Sequence, residues 1–462
     1  VDYNISIILG IVVAYIFGTM GISIWAKKFA GTTAKFMVGN KDMGITVIAV
    51  LLMSEWIGTS ATLGTAEIAF NKGISAAWNL TALFVAMILF SIFMAKKYRE
   101  TGEHTISGLI AQKYGTQAAR ITAVIMIYAM GVLNIQLYVG GAAILGTILN
   151  MPTNLAVWAT AFICIVYVTA GGMKGVAYTN LVHAIFKYVG VIITLVFALQ
   201  LSGGLSNLAA KMPPIYFDPI EGVGVTQIVA WMVGSIGAVF CTQYVIQAIG
   251  STKDGRTAVK ASLLAGLLII PIGLMASIIG IAAKYLYPNI KGLWAIPYFA
   301  THMHPVLGGI VVSALMATIF GTVSATTLGA TALIVRDFYT PWAKPDEKKK
   351  LVATRVIAAI FGLLPVGFAL LTPEVIKTLF FARALRTSLS VVVVCMFYFP
   401  LFGSGRGVSA SLIALIIATT AWFLLGDPFG IDNVYIAILV PLAILFIDRL
   451  FPKPAAQEQK ML

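Results

Sequence analysis

The stretch VIAVLLMSEWIGTSATLGTAEIAF, residues 47–70, decides the fold. It opens as an apolar helix and then sets a carboxylate (Glu55), an indole (Trp56), a glycine (Gly58) and the hydroxyls of Ser54, Thr59 and Ser60 where the middle of a membrane span should be. A helix in lipid must satisfy its backbone hydrogen bonds internally. A polar, glycine-bearing interruption is therefore tolerated only where protein or a water-filled cavity surrounds it. Helices broken near the bilayer midplane offer free carbonyls to cations and free amides to solutes. Residues 53–60 are thus a candidate site.

The surrounding chain supports a membrane setting. Its 462 residues are 60% hydrophobic and 10% charged, with a mean hydropathy of +0.95, far from a soluble domain. Thirteen apolar segments are legible at about 5–25, 45–68, 75–96, 118–149, 155–171, 176–201, 226–249, 258–284, 303–334, 351–372, 374–400, 408–425 and 432–451, most near the roughly 20 residues that cross a bilayer. The first has no basic stretch ahead of it and no small-residue cleavage site after it, so it is expected to be a retained helix.

The net charge of +14 could suggest a nucleic-acid partner, but its distribution points to lipid instead. Of 31 basic residues, 23 fall on one side of the predicted spans, among them Lys27, Lys96, Arg120, Arg256, Lys348, Lys453 and Lys460, and five on the other (Lys72, Lys211, Lys284, Lys291 and Lys377). By the positive-inside rule the richer side is cytoplasmic. An odd number of spans then places the N-terminus outside and the C-terminus inside the cell membrane. Cys164, Cys241 and Cys395 are isolated in apolar segments without metal-ligand spacing, and read as packing residues.

Three further stretches carry a resemblance. GGMKGVAYTNLVHAIFKYVG (171–190) joins two spans through a glycine pair, a lysine and Gly-Val; VFCTQYVIQAIGSTKDGRTAVKAS (239–262) is a polar helix end and a basic loop; MATIFGTVSATTLGATALIVRDFY (316–339) is a Ser/Thr-rich helix ending in Asp-Phe-Tyr. In order and spacing they resemble the sodium/solute symporter family over nearly the whole chain. The resemblance implies an all-α membrane fold of two inverted five-helix repeats, here about 45–201 and 226–400, with one extra helix in 1–44 and two extra helices and a tail in 401–462. The first helix of each repeat is broken. In 226–249 the interruption is expected at Gly234, Gly237 and the pair Thr242-Gln243.

The resemblance also implies a sodium site made of oxygens, as a hard cation requires. Carbonyls fall on Ser54, Ile57 and Thr318, and two hydroxyl positions fall on Gly321 and Thr322. Gly321 departs from the pattern, since it has no hydroxyl. A second sodium site would use an aspartate where this chain has Asn180, with a hydroxyl near Ser324, and lacks that carboxylate. Lys187 sits roughly 11 residues into its span, about 16 Å deep, and an intramembrane lysine is functional by default. Asn180, His183 and Lys187 share one helical face. In other transporters of this fold a lysine on the corresponding helix can stand in for sodium, so the coupling ion is either Na+ or, with Lys187 carrying a proton, H+. No organic cofactor is implied.

Arg383 and Arg386, three residues apart in TLFFARALRTSLS, share a face, and arginine does not shed its charge. Glu55 is the acidic residue well inside a span, leaving a positive cavity that suits a small anionic organic solute. Its expected lining also includes Trp56, Thr59, Trp78, Asn79, Thr242, Gln243 and Gln247. The competing reading pairs Arg386 with Glu55 and turns Arg383 to lipid headgroups. Lipid exposure at the centre would cost at least about 2.5 kcal/mol.

Among function classes, a secondary transporter working as a monomer leads. A transporter-like sensor needs an output domain, and only PKPAAQEQKML follows the last span. Nothing resembles a channel's filter. His183 is the histidine deep within a predicted span and no nucleophile and base pair up, so the chain does not read as an enzyme.

Overall fold

The computed structural model describes residues 3–39, 41–371, 375–399 and 403–450. Lys453 and Lys460 lie outside the described residues. Among the described residues the chain is a helical bundle, and an isolated bridge joins Met43 and Thr252. Its principal helices are α1 (Tyr3–Ala26), α2 (Ile45–Trp56), α3 (Thr65–Lys72), α4 (Trp78–Phe93), α5 (Ile106–Leu149), α6 (Thr153–Ser202), α7 (Val225–Cys241), α8 (Gln243–Gly250), α9 (Gly255–Leu286), α10 (Pro305–Ile334), α11 (Glu347–Leu363), α12 (Val375–Tyr398), α13 (Gly405–Leu424) and α14 (Asn433–Leu450).

Among the described residues ten helical stretches are long and apolar enough to cross a bilayer, and α7 with α8, bent by 45°, makes an eleventh. Two expected segments are met by shorter apolar helices. Ile45–Trp56 ends at the interruption, and its continuation runs on into the next span as Ser60–Phe93; Thr153–Ile165 is separated from the stretch after it by a sharp bend at Gly172. That glycine has φ 58°, and a Cβ there would stand 2.8 Å from Phe36 Cδ2. A short helix follows His104. Gly115, at φ 85°, turns the chain between it and the long span of α5.

α10 is the central post. Every residue from Val311 to Leu333 is buried, and α6, α1 and α5 all pack on it. Its sequence explains this position, because Gly, Ala, Ser and Thr let neighbouring backbones approach closely in a membrane. Their hydroxyls stay satisfied by bonding back along the helix, as Ser313 does to the Gly309 carbonyl (2.8 Å) and Thr331 to that of Thr327 (2.7 Å).

The second interruption differs from the expected one. The chain leaves helical geometry at Thr242 (φ −64°, ψ 126°), whereas Gly234 and Gly237 lie inside the continuous helix α7. Those glycines create close packing instead of a break. The Thr387 hydroxyl of α12 donates to the Gly234 carbonyl at 2.8 Å, and a Cβ on Gly237 would come within 2.4 Å of Thr387 Cγ2. Overpacking such a contact costs about 1–3 kcal/mol. Gly237→Val should therefore lower the thermal unfolding midpoint of the detergent-solubilised protein. Gly21→Val, at a position with nothing within 4 Å of a Cβ, should leave it unchanged.

Candidate transport site

The first broken helix stops because its backbone stops being helical. α2 ends at Trp56, Ile57 takes φ −92° and ψ 70°, and residues Ser60–Gly64 wind as a π-helical turn before α3 resumes. Such turns recur at functional sites. Gly58 lets α10 press against the break, since a Cβ there would lie 3.0 Å from Thr322 Oγ1. The carbonyls in the last turn of a helix have no amide ahead of them. Ser54 is one of these, and side chains from two other helices claim its carbonyl. Thr322 Oγ1 of α10 donates to it at 3.0 Å, and Lys187 Nζ of α6 at 3.4 Å; Lys187 also reaches Ser54 Oγ at 3.3 Å.

Lys187 is wholly buried, and its ammonium lies close to where a side chain of residue 321 would begin. A Cβ built on Gly321 would stand 2.7 Å from Asn180 Oδ1 and 3.0 Å from Lys187 Nζ. The missing hydroxyl and the buried lysine are therefore two views of one space. Thr322 also donates to the Thr318 carbonyl at 3.1 Å, so Ser54, Thr318, Gly321 and Thr322 do converge, with Ile57 buried just beyond. Ser324 does not face Asn180 through a hydrogen bond; its hydroxyl donates to the Gly321 carbonyl at 2.9 Å. The Asn180 amide has neither its oxygen nor its nitrogen hydrogen-bonded. His183, on the same helix face, hydrogen-bonds through Nδ1 to the Tyr15 hydroxyl of α1. Tyr15 went unnoticed in the sequence because its helix read as uniformly apolar, although a phenol inside a span is itself a polar signal.

Beside this cation position lies a closed cavity of about 10 Å³, room for about one water. Glu55, Trp56, Ser60, Gln136, Arg383 and Arg386 bring their polar groups to it, and Leu133 and Leu379 cover it. Arg386 Nη1 stands 3.9 Å from Glu55 Oε1 and donates to Thr242 Oγ1 at 3.1 Å, while its Nε donates to the Ala382 carbonyl at 3.1 Å. The guanidinium carbon rests 5.1 Å from the Trp56 ring centroid, a cation–π distance. Arg383 does not reach lipid headgroups: it is buried, donating to Asn79 Oδ1 at 3.0 Å and Ser235 Oγ at 3.4 Å. The Asn79 amide nitrogen in turn donates to Thr65 Oγ1 at 2.9 Å, so α3 and α4 together aim that arginine.

Three expected lining residues lie elsewhere. The Trp78 indole donates to the Pro219 carbonyl at 2.8 Å, in a partly exposed position at the end of its helix, where an amphipathic ring finds both apolar surface and a polar partner. Gln243 spends both ends of its amide on backbone, donating to the His104 carbonyl at 3.1 Å and accepting from the Ile106 amide at 2.9 Å. The amide nitrogen of Gln247 donates to the Met37 carbonyl. A polar residue after a helix break thus served to anchor loops. His104 itself is half-buried, and burial followed by the charge of Arg336 holds its imidazole below the ordinary pKa. Thr59 stands one step behind the cavity, 3.4 Å from Gln136 Oε1. Gln136 and Ser235 were not anticipated, although each is a polar residue in an apolar span.

A bundle whose broken helix joins a buried cation to a polar cavity at membrane depth defines a secondary transporter, a class of binding proteins and not of enzymes. The chain belongs to the sodium:solute symporter family, whose model matches residues 36–417. The sodium/pantothenate symporter of Haemophilus influenzae is 23% identical over 436 residues, 89% of each chain. The high-affinity proline transporter of Bacillus subtilis is 23% identical over 346 residues, 69% of this chain and 71% of that one. Among solved structures, a substrate-bound, outward-open Na+-coupled sialic acid symporter superposes with a TM-score of 0.83 at 15% identity, covering 98% of this chain and 99% of that one. The fold is the inverted-repeat transporter fold.

The shared space at Gly321 yields a test. Gly321→Ser should lower the unfolding midpoint more in the presence of Lys187 than in a Lys187→Ala background, where Asn180 still crowds the added side chain. Residues in direct contact couple by about 0.5–3 kcal/mol in a double-mutant cycle. Additive effects in thermal unfolding would show that the two do not share the space.

Proposed function

We propose that the chain imports a small anionic organic solute by alternating access, the two repeats, 45–201 and 226–400, rocking about the cavity between Glu55 and Arg383. The observation that carries this reading is the burial of two arginines and one carboxylate around a single midplane cavity. With Lys187 the region holds three cations to one anion, and a solute carboxylate or other oxyanion supplies what the surrounding protein does not. Bidentate arginines suit that geometry. The protein works as a monomer, with its N-terminus outside and its C-terminus in the cytoplasm, as the distribution of lysine and arginine supports.

The family couples solute entry to sodium, and the Ser54, Thr318 and Thr322 oxygens supply part of such a site. A second reading of the coupling is favoured by one specific contact: the Lys187 ammonium, within reach of the Ser54 carbonyl and hydroxyl, lies where the ion would. Here Lys187 takes the place of sodium and exchanges a proton during the cycle. Compact, flexible and able to lose its charge when buried, lysine is the basic side chain suited to this.

Uptake into proteoliposomes separates the two. If sodium drives transport, uptake requires an imposed sodium gradient and Thr322→Ala weakens it. Full uptake under a pH gradient in sodium-free buffer, lost in Lys187→Ala, establishes the proton reading instead.

Substrate charge is tested separately. Arg383→Gln and Arg386→Gln should each weaken binding of the transported anion at least about tenfold, since truncating one side of a buried charge pair costs about 2–5 kcal/mol. Unchanged affinity in both variants would remove the anionic assignment.

A further inference from the structure

Within the proposed anion cavity, donors and acceptors are left unmatched. Both carboxylate oxygens of Glu55 are buried and accept no hydrogen bond. The nearby cations are committed elsewhere: Arg386 donates to Thr242 and Ala382 and stands 3.9 Å from Glu55, beyond hydrogen-bonding distance, and Lys187 is engaged by Ser54. Elsewhere in the same lining the deficit is reversed, for Arg383 Nε and the Trp56 indole nitrogen are buried donors with no acceptor. A buried polar group left without its partner costs about 1–3 kcal/mol, and more when charged. The site thus lacks a donor at Glu55 and an acceptor at Arg383 and Trp56.

We infer that the solute is a carboxylate that also carries an O–H or N–H donor close to its acid group, the donor being taken by Glu55 and the carboxylate by Arg383 and Arg386. A plain carboxylate fills only half of this arrangement. As it drew Arg386 toward itself, it would leave the Glu55 carboxylate buried beside a second anion with nothing to accept from. A hydroxy or amino acid removes both deficits with one molecule. Charge distinguishes the two donors. A hydroxy acid brings a net negative charge to a cavity lined by two arginines and one carboxylate, whereas an amino acid brings none, so the hydroxyl is the better match.

This inference rests on the anionic reading, and one experiment distinguishes their failures. The wild-type protein is screened by thermal shift against matched short-chain carboxylates bearing no donor, a 2-hydroxyl or a 2-amino group, alongside uncharged polyols and quaternary amines. Binding to the native state raises the unfolding midpoint. The expected result is a larger shift for hydroxy acids than for their unsubstituted counterparts. It corresponds to an affinity preference of about tenfold for one hydrogen bond to a charged group. A larger shift from amino than from hydroxy acids keeps the donor at Glu55 and overturns the charge argument for the hydroxyl. Equal shifts from plain and hydroxy acids overturn the donor while leaving the anion in place. Shifts from polyols or amines alone, or from no compound, overturn both. Glu55→Leu, which removes the acceptor, should abolish the preference between hydroxy and plain acids while acids still bind. A merely structural Glu55 would weaken all acids equally. If this variant does not fold, the wild-type series alone decides.

Discussion

The Ser54 carbonyl is the point on which the site depends. Because α2 ends at Trp56, this oxygen has no amide ahead of it within the helix, and in a membrane interior it must find a partner or carry a large penalty. It finds two, Thr322 from α10 and Lys187 from α6. The broken helix is thereby tied to the central post and to the helix that begins after the bend at Gly172. Anything that changes the charge or position of the Lys187 ammonium must change how these three elements sit together. A proton or a sodium ion acting here would bias the same contact, which is why both coupling readings converge on one oxygen.

The arginines impose the second constraint. Two guanidiniums that cannot be neutralised are held at membrane depth by the neutral oxygens of Asn79, Ser235, Thr242 and Ala382 and by aromatic faces, with one carboxylate 3.9 Å from Arg386. Such a cluster is poor at stabilising a fold, because desolvation consumes most of what pairing returns. It is well suited to binding, since its cost has already been met when the ligand arrives. The same reasoning explains why Leu133 and Leu379 cover the cavity: excluding water strengthens each charge–charge contact beneath them.

Much of this was legible in the sequence, for definite reasons. Hydropathy exposes spans, and a carboxylate, lysine or arginine within one stands out against apolar neighbours, so Glu55, Lys187, Arg383 and Arg386 were all found. What sequence could not separate was a polar residue facing a cavity from one facing a loop. Gln243 and Gln247 follow a helix break just as Ser54 precedes one, yet their amides secure the backbone at His104, Ile106 and Met37. Trp78 sits beside Asn79 in the chain, but consecutive residues point about 100° apart on a helix, and only the asparagine reaches Arg383. Gly237 looked like a breaker and proved to be a contact, because the signal for either is the same absent side chain.

The two ends of the molecule are joined by different contacts. At the end where α5 begins, Arg336 pairs with Glu103 at 3.2 Å, Ser107 donates to Asp337 at 2.5 Å, and Gln243 bridges to the same loop from α8. These contacts join α8 and the end of α10 to the start of α5. At the other end, single hydrogen bonds such as Trp78 to Pro219 and Tyr216 to Phe70 hold loops over α3 and α4. Partly exposed ion pairs and hydrogen bonds of this kind are individually worth about 1 kcal/mol or less. If access alternates as proposed, a ligand that draws Arg386 away from Glu55 needs only a modest difference in affinity between conformations to shift which end is joined. The strong interactions lie at the centre, and weak ones join the loops at either end.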